Sequence, residues 1–409
     1  MNILLINHYA GSLRHGMEYR PFYLAREWVR LGHRVRIIAS AESHIRALAP
    51  QLRGRRGLEE VIDGVEYHWI ATPAYRGNGI ARVINMFAFV GALLLRGRAL
   101  ATRFQPDVVI ASSTYPLDIW PARRIARFAR ARLLFEVHDL WPLSPIELGG
   151  HSRWHPFIAL LQAAENYACR HADAVVSILP KVREHLEAHG MAPHKLHIVP
   201  NGADPAEWLG KPSELSGATG VRLRALKRSG KFVVGYAGTH GLANALDTLL
   251  DAAALVDDPR IAFVLVGSGP EKKRLQEVAD SRQLHNVYFF DAVPKHDVPC
   301  LLRMFDVAYI GWQRQPLYRF GIAPNKLIDY MMAGRPILHS VEAGNDPVAE
   351  AGCGITVAAQ DPIAVTRGLL ALFMRSQSER DAMGQRGNAY ALANLSYPVL
   401  GKRFLQACA

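Results

Sequence analysis

The sequence predicts an α/β protein of two tandem doubly wound (Rossmann-like) domains, each with a parallel sheet covered by helices. Two observations carry this prediction. Short β-rich runs alternate with amphipathic helical stretches along the 409 residues, which is the pattern of βαβ units. The pattern stops near residue 205 and resumes near residue 231, and a chain of this length normally folds as two or three domains. We therefore expect a cleft between the domains, with ligands bound at the carboxyl ends of the strands.

The first domain, residues 1–205, opens on a buried strand at 2–7 and continues with a helix at about 20–31. Tyr23, Leu24 and Trp28 share one face of that helix. Further strands are expected at 34–39, 108–111, 132–136, 174–178 and 197–199. The first residues lack the basic leader and cleavage site of a secretion signal, so we interpret them as structure.

A stretch rich in Gly, Pro, Ser and Lys at 206–230 shows no apolar periodicity, and we interpret it as an interdomain linker. The second domain then covers 231–389. Its strands are expected at 232–237, 261–266, 287–290, 307–310 and 336–339. The second half thus repeats the rhythm of the first.

The composition restricts the classes of function. The net charge of +12 indicates an anionic partner, which is nucleic acid, an acidic membrane or a phosphorylated ligand. No helix-turn-helix, zinc-finger or RNP pattern accompanies the charge, so nucleic acid is the weakest of the three. The 4 cysteines share no close spacing, which excludes a disulfide scaffold and a zinc ribbon. His151 and His155 have i, i+4 spacing, but Ser152 stands where a zinc protease has its glutamate, so no metal is expected there.

Two glycine turns in the second domain have the pattern of phosphate sites. One predicted strand runs into Gly238 and Gly241 before a helix, and the next runs into Gly267 and Gly269. A strand, a glycine turn and a helix start together offer backbone N–H groups to a phosphate. Plain tight turns are the alternative, because each signal alone is weak.

A sharper signal lies in the segment 320–336, where Pro324 can open a helix. Lys326 would then lie in the first turn, where the helix dipole disfavours a cation unless an anion is also bound. Asp329 shares the same helix face, and its carboxylate can accept both hydroxyl hydrogens of a ribose. The alternative is a surface ion pair between these two residues, which would contribute little.

Two positions in the first domain follow predicted strands. His138 is a candidate polar catalytic group because strand ends face the expected cleft, although a hydrogen-bonded structural histidine is the more common outcome. The loop after the first strand, which contains Gly16, lies at another carboxyl end. Both positions are therefore candidates for contact with a substrate.

Taken in order, these segments resemble the retaining glycosyltransferases of family 4, also called glycosyl transferases group 1, with the GT-B architecture. The resemblance covers nearly the whole chain. It rests on Gly32-His33, His138-Asp139, Asn201-Gly202-Ala203-Asp204, Gly267-Ser268-Gly269-Pro270 and the helix around Asp329. The Gly-Leu-Ala-Asn turn and the Pro-Asn-Lys helix start further resemble N-acetyl-fucosamine transferases of surface polysaccharide assembly.

The resemblance implies that the second domain binds a nucleotide-sugar, by frequency a UDP-sugar, and that the first binds a saccharide or polyprenyl-diphosphate-linked acceptor. It implies retention of configuration, no metal and no other cofactor. A last helix within 390–409 would pack back on the first domain. His138 and Lys326 are the expected catalytic residues. The expected nucleotide-sugar contacts are Gly16, Gly238, Thr239, His240, Asn244, Gly267, Gly269, Val293, Gly321, Ile322, Ala323, Pro324, Asn325 and Asp329.

Three positions depart from the family pattern. The glutamate that contacts the donor sugar falls on Gly321, and the phosphate-binding Arg and Lys fall on Thr239 and Asn244. Each charge-assisted contact is worth about 1.5–3 kcal/mol. Lys326 and His240 are the candidates to replace part of the lost charge.

The excess positive charge is concentrated in residues 46–132, which carry 14 Arg, no Lys and 6 acids. Four of these arginines share one side of a predicted helix: Arg123, Arg124, Arg127 and Arg130. Beside them in sequence lies the apolar stretch 80–95, whose longest unbroken run is about half of the ~20 residues that a spanning helix needs. This combination suits peripheral binding to anionic lipid. A solvated arginine face, with 80–95 buried as a core helix, is the alternative.

The sequence therefore predicts a hexosyl or N-acetylaminosugar transferase of surface polysaccharide or lipopolysaccharide biosynthesis, either cytoplasmic or peripheral on the inner face of the cytoplasmic membrane. The loss of the glutamate at Gly321 keeps a second hypothesis open, namely a non-catalytic GT-B partner subunit of another transferase. Such a subunit would release no nucleotide when given donor and acceptor. A third hypothesis is a sugar-nucleotide 2-epimerase on the same fold, which would convert the donor without an acceptor.

Overall fold

The computed structural model describes residues 1–77, 79–210 and 215–409, and the chain divides into two compact units. The first domain comprises Met1–Asn201 together with Tyr397–Ala409, and the second comprises Gly202–Ser396. Each contains one sheet of mainly parallel strands, as the alternating pattern predicts.

The first domain is built on an eight-stranded sheet in the order β3-β4-β2-β1-β5-β6-β7-β8. Its strands are β1 (Asn2–Ile6), β2 (Arg34–Ser40), β3 (Gly57–Ile62), β4 (Val65–Ile70), β5 (Val108–Ala111), β6 (Arg132–Val137), β7 (Ala174–Ser177) and β8 (Leu196–Ile198). Its helices before residue 202 are α1 (Arg20–Arg30), α2 (Ile80–Phe104), α3 (Ile119–Ala129), α4 (Leu143–Glu147), α5 (Pro156–His171) and α6 (Arg183–Ala188). Residues 3–6 of β1 are fully buried, as expected for a central strand covered on both faces.

β3 and β4 form an antiparallel hairpin that the sequence analysis did not predict. Asp63 and Gly64 make its turn, with φ values of +49° and +81°. An Asp-Gly pair is among the strongest local hairpin signals, because both residues tolerate positive φ. The buried Tyr67 and Trp69 alternate along β4 beside this turn. The signal was therefore present, but the surrounding charged residues obscured the alternation.

The second domain has a six-stranded, fully parallel sheet in the order β11-β10-β9-β12-β13-β14. Its helices are α7 (Gly217–Arg228), α8 (Leu246–Ala254), α9 (Lys272–Ser281), α10 (Val298–Arg303), α11 (Asn325–Met332), α12 (Pro347–Ala351), α13 (Pro362–Phe373) and α14 (Gln377–Asn394). Its strands are β9 (Phe232–Ala237), β10 (Ile261–Val266), β11 (Val287–Phe290), β12 (Val307–Gly311), β13 (Ile337–Ser340) and β14 (Gly354–Val357). All but β14 follow the predicted positions to within one residue.

The predicted linker at 206–230 is wrong over its second half, because α7 occupies that part. Leu223 is fully buried in the core of the second domain, and Leu226 packs against the same core. The two glycines in this helix lower its intrinsic propensity, so tertiary packing stabilises it. Residues 211–214 of the predicted linker lie outside the described residues.

The C-terminal helix α15 (Tyr397–Cys408) packs against α1 in the first domain. Trp28 Nε1 donates to the carbonyl oxygen of Gly401 at 3.1 Å, and the rings of Trp28 and Phe404 lie 5.0 Å apart. The rings of Tyr23 and Tyr397 stack at 4.7 Å. The return to the first domain therefore begins at 397 rather than 390, because α14 extends to residue 394 within the second domain.

α2 has 25 residues and is longer than the apolar run that the sequence shows. Met86, Phe89 and Leu93 bury one of its faces. Several apolar side chains of α2 are exposed: Ile80 by 79%, Ile84 by 54%, Phe87 by 45% and Leu95 by 89%. By length and composition α2 alone among the described helices could cross a membrane, a test that core helices also pass. The sequence allowed a membrane-binding stretch or a buried core helix here, and α2 has features of both. It is a core helix on one face and exposes apolar side chains on another.

Candidate functional site

A cavity of about 500 Å³ opens in the second domain at the carboxyl ends of β9 and β10. β9 lies where the strand order reverses, which is where doubly wound sheets bind ligands. The predicted site residues that line it are Gly238, Thr239, Asn244, Gly267, Val293, Lys326 and Asp329. The unpredicted lining residues are Ala237, Val266, Ser268, Ala292, Val298, Leu301, Leu302 and Tyr330. Most of the latter are apolar, and their sequence pattern does not distinguish them from core positions. We call this cavity the donor cavity, after the nucleotide-sugar donor that the resemblance described above implies for this domain.

The two glycine turns pack directly against each other at the edge of the donor cavity. The N–H of Gly238 donates to Val266 O at 3.0 Å, and a Cβ on Gly267 would lie 1.9 Å from Gly238 O. Both glycines have φ of +150°, which side-chain-bearing residues rarely adopt. Among the described residues, the N–H of Thr239 has no hydrogen-bond partner, so this amide is available to a ligand phosphate.

Lys326 provides the positive charge of the donor cavity. Its ammonium donates to Tyr236 Oη and to Asn244 Oδ1, both at 2.8 Å, and lies 4.2 Å from the Tyr236 ring centroid. The resemblance described above places the family's phosphate-binding lysine at Asn244, and Lys326 brings an ammonium within 2.8 Å of Asn244 Oδ1. Burial lowers the pKa of Lys326 to about 7, which makes an anionic ligand its natural partner.

Asp329 lies one turn further along α11 and also lines the donor cavity. Within the described parts of the chain its carboxylate has no hydrogen-bond partner and no ion pair, so the predicted alternative of a surface pair with Lys326 does not occur. Burial raises the pKa of Asp329 to about 7. A carboxylate that is half-buried without a partner is costly unless a ligand hydroxyl group donates to it.

His240 does not line the donor cavity, and the expectation that it replaces phosphate-binding charge is wrong. Its ring is fully buried, and neither nitrogen has a partner among the described residues. Burial, with smaller contributions from Lys272 and Lys326, lowers the pKa of His240 to about 4. The ring is therefore neutral at pH 7. Gly269 packs on its backbone, since a Cβ there would lie 2.4 Å from His240 O.

The loop from Gly321 to Asn325 also lies outside the lining of the donor cavity. The N–H of Gly321 donates to Tyr318 O at 2.9 Å, and the N–H of Ile322 donates to Asn345 Oδ1 at 2.7 Å. These two amides are used within the domain, and the contact of Gly321 and Ile322 with a nucleotide-sugar stays a prediction. The remaining predicted contacts of this loop are Ala323, Pro324 and Asn325, which lead into α11.

His138 follows β6 in the first domain, as predicted. Its Nε2 lies 3.0 Å from Ser112 Oγ and 3.3 Å from Glu136 Oε2, and Ser112 Oγ donates to Glu136 Oε2 at 2.6 Å. Because the Ser112 hydroxyl hydrogen is used in that bond, His138 Nε2 carries the proton and donates. This leaves Nδ1 as the nitrogen that can accept from a substrate hydroxyl.

Glu136, which the sequence analysis did not single out, positions His138. It forms an ion pair with Arg20 at 2.8 Å, and both side chains are only 1% exposed. Burial alone would raise the pKa of Glu136, but Arg20, His138 and Ser112 together lower it to about 2. An acid inside the otherwise apolar run at 133–137 was the available signal, since a buried carboxylate needs a partner.

Gly16 belongs to the first domain and lies in a tight turn. Its φ is +95°, and its N–H donates to Ser12 O at 2.8 Å. A Cβ at this position would lie 2.9 Å from Ala47 N. Packing against Ala47 is enough to explain the glycine, and its contact with a donor stays a prediction.

A second cavity, of about 670 Å³, lies in the first domain between the start of α2 and the segment from Trp141 to Ile158. Its apolar lining comprises Ile80, Val83, Met86, Trp141, Pro145, Leu148, Phe157 and Ile158. Arg82, His151 and His155 add basic groups. Ile80 belongs both to this lining and to the exposed apolar side chains of α2. We call this cavity the apolar groove.

Comparison with known proteins assigns a family to each domain. Residues 15–202 match the glycosyl transferase 4-like domain, and residues 231–375 match the glycosyl transferases group 1. The chain is 24% identical over 243 residues to the putative colanic acid biosynthesis glycosyl transferase WcaI of Escherichia coli K12, and the match covers 59% of either chain, less than two thirds of that relative's length. It is 25% identical over 293 residues to the probable glycosyltransferase WbjE of Pseudomonas aeruginosa, covering 71% of this chain and 70% of the relative.

The fold is similar to that of HepE from Anabaena, solved in complex with UDP-glucose, with a TM-score of 0.67 and 14% identity over 99% of this chain and 98% of that one. At this identity the likeness concerns the fold. The two family matches agree in order and extent with the two parallel-sheet domains, and together they cover most of the sequence. The chain belongs to the GT-B family of glycosyltransferases.

Proposed function

We propose that this glycosyltransferase moves a sugar from a UDP-sugar to a lipid-linked saccharide acceptor in surface polysaccharide biosynthesis, with retention of configuration and without a metal ion. The observation that carries the proposal is the donor cavity itself, in which the Lys326 ammonium and the unpartnered Asp329 carboxylate lie on one helix. The UDP-glucose bound to HepE and the colanic acid biosynthesis in the name of WcaI support this choice of donor and product class.

Each part of a UDP-sugar has a counterpart in the donor cavity. We assign the ribose hydroxyls to Asp329 and the diphosphate to Lys326 and the N–H of Thr239. The apolar side chains of Val293 and Leu301 suit the face of a pyrimidine base. When the anomeric C–O bond breaks, negative charge develops on the diphosphate, so a fixed cation beside it lowers the barrier.

Binding of UDP in the absence of metal tests this proposal directly. In EDTA, UDP at about 100 times its dissociation constant should add roughly 2.7 kcal/mol of stability and raise the melting temperature, whereas GDP, ADP and CMP should shift it less. Asp329→Ala should weaken UDP binding by about 10- to 100-fold, because hydrogen bonds to a charged group are lost. Thermal-shift and calorimetric titrations measure both effects.

Asp280→Ala is the matched control, since Asp280 is exposed on the same domain, and its affinity for UDP should equal that of the wild type. A wild type that responds to no nucleotide would contradict the donor assignment and favour the non-catalytic partner subunit. Conversion of a UDP-sugar without any acceptor would favour the epimerase.

We assign the apolar groove to the polyprenyl chain of the acceptor. Its lining is apolar, its basic groups Arg82, His151 and His155 suit an adjacent diphosphate, and its wall continues into the exposed apolar side chains of α2. The exposed apolar side chains of α2, which lies within the arginine-rich residues 46–132, also suit peripheral binding to an anionic membrane. The inner face of the cytoplasmic membrane is the corresponding location.

Replacing two exposed apolar residues of α2 should abolish most membrane binding. Ile84→Asp with Phe87→Asp should reduce co-sedimentation with phosphatidylglycerol vesicles by at least about tenfold, because each change removes an inserted apolar side chain and adds a repelled charge. Both side chains are about half exposed, so the fold should tolerate the change. Val221→Asp, exposed on the second domain, is the control. A wild type that binds vesicles at neither low nor high salt would refute the membrane assignment.

A further inference from the structure

A cluster of three potential metal ligands lies in the first domain and has no part in the function proposed above. Glu165 on α5 and His185 and His189 on and just after α6 bring one ligand atom each within 4.8 Å of one another. His185 Nε2 lies 2.9 Å from Glu165 Oε1, and His189 Nε2 lies 3.9 Å from Glu165 Oε2. Glu165 is buried, and its side chain forms no ion pair with Lys or Arg in the described parts of the chain.

The surrounding amides select one tautomer of His189. Gln162 Nε2 has three acceptors in reach, namely Glu165 Oε2 at 2.8 Å, Asn166 Oδ1 at 2.9 Å and His189 Nδ1 at 3.1 Å, but only two hydrogens to donate. His189 Nδ1 also lies 2.9 Å from Asn166 Oδ1. Three of these four contacts are hydrogen bonds if His189 Nδ1–H donates to Asn166 Oδ1 and the Gln162 hydrogens go to Glu165 and Asn166. The fourth, between Gln162 Nε2 and His189 Nδ1, then joins two donors, whereas the other tautomer would place His189 Nδ1 and Asn166 Oδ1 as two acceptors 2.9 Å apart.

In that tautomer the lone pair of His189 Nε2 lies 3.9 Å from a carboxylate oxygen, with no proton between the two atoms. A hydrogen bond from Nδ1 to an amide oxygen is also the arrangement that orients histidine ligands in metal sites. A cation between His189 Nε2 and Glu165 Oε2 could be coordinated by the lone pairs of both atoms.

We propose that Glu165, His185 and His189 bind a divalent transition metal ion, with Zn²⁺ the best fit to two imidazoles and one carboxylate. Zinc–ligand bonds of about 2.0–2.1 Å in a tetrahedron place ligand atoms roughly 3.3–3.5 Å apart. The three ligand atoms, which lie within 4.8 Å of one another, would therefore move closer by up to about 1.4 Å. His189 is 26% exposed and gives solvent access to the site. The described residues supply three ligands, and a water molecule completes the shell.

The site would join two elements that are separate in sequence. Glu165 lies in the middle of α5, whereas His185 lies within the short helix α6 after β7 and His189 caps the C-terminal end of α6. α5 begins at the apolar groove, to whose lining Phe157 and Ile158 belong. A bound ion would therefore hold α6 against the helix that forms one wall of that groove, and its role is structural.

Titration of the chelator-treated full chain with Co²⁺ and then Zn²⁺ tests the site. We expect one Co²⁺ per chain with the intense visible absorption of four-coordinate cobalt, displacement by Zn²⁺, and a rise in melting temperature with either ion. His189→Ala and Glu165→Gln should each weaken binding by at least about 100-fold, and Asn166→Ala, which removes only the supporting acceptor, by about 10- to 100-fold.

His194→Ala is the matched control, because this exposed histidine lies five residues beyond the cluster, and it should bind Co²⁺ as the wild type does. Co²⁺ uptake that is as weak in the wild type as in His189→Ala would overturn the proposal and leave a hydrogen-bonded network. UDP binding is measured in parallel, and it should be the same with and without the ion.

Discussion

His138→Ala should reduce turnover by about 10²- to 10⁴-fold, while the affinity for UDP stays nearly unchanged. Both parts follow from the position of the ring. His138 lies in the first domain with Nε2 held by Ser112 and Glu136, which leaves Nδ1 to accept a hydrogen bond from a substrate hydroxyl. The residues that we assign to the nucleotide all lie in the second domain. Initial rates with the UDP-sugar and calorimetric titration with UDP separate the two effects.

The residues that orient the His138 ring allow a more specific prediction. Ser112→Ala retains the imidazole but removes one of the groups that orient it, so turnover should fall about fivefold with an unchanged KM for the donor. His197→Ala, a half-buried histidine on β8, is the control and should leave turnover unaltered. If His138→Ala weakened UDP binding and left turnover intact, the two domains' roles would be misassigned.

Lys326→Met should weaken UDP binding by about 10- to 100-fold, because one charge-assisted contact of about 1.5–3 kcal/mol is lost. Methionine has nearly the same length, so the change removes charge without opening a large cavity. Uridine carries no phosphate and should bind the variant and the wild type equally. Asp329→Ala, by contrast, should weaken both ligands. Calorimetric titration of the two variants with both ligands measures this difference.

The same lysine predicts a pH dependence with a definite sign. Burial lowers the pKa of Lys326 to about 7 in the free protein, and a bound diphosphate favours the protonated form. Above pH 7, UDP binding must therefore take up a proton, and the affinity should fall by up to about tenfold per pH unit until the pKa of the complex is reached. UDP itself is fully ionised in this range because its phosphate pKa is near 6.

Lys326→Met should show no such slope between pH 7 and 9. Lys273→Met is the control, since that side chain is 90% exposed, and it should follow the wild-type curve. A wild-type affinity that is level from pH 7 to 9 would show that UDP binding does not protonate Lys326.

The sequence determined the architecture well. Buried parallel strands appear as short apolar runs, so eleven predicted strands coincide with or lie within one residue of those observed. The hairpin β3–β4 and helix α7 were missed, because clustered charges and glycines masked weak local patterns. The placement of Lys326 and Asp329 on one helix face was also predictable, since it needs only the helical repeat.

Only the tertiary structure decided what these side chains meet. Lys326 finds Tyr236 and Asn244 more than eighty residues away, and His240 is enclosed by packing that removes its charge. The Arg20–Glu136 ion pair that supports His138 spans 116 residues. Periodicity in a sequence reports which face of an element is buried, but protonation state, hydrogen-bond partners and ligand geometry depend on atoms brought together from distant segments. The fold could therefore be predicted from sequence alone, and the chemistry of the two candidate sites could not.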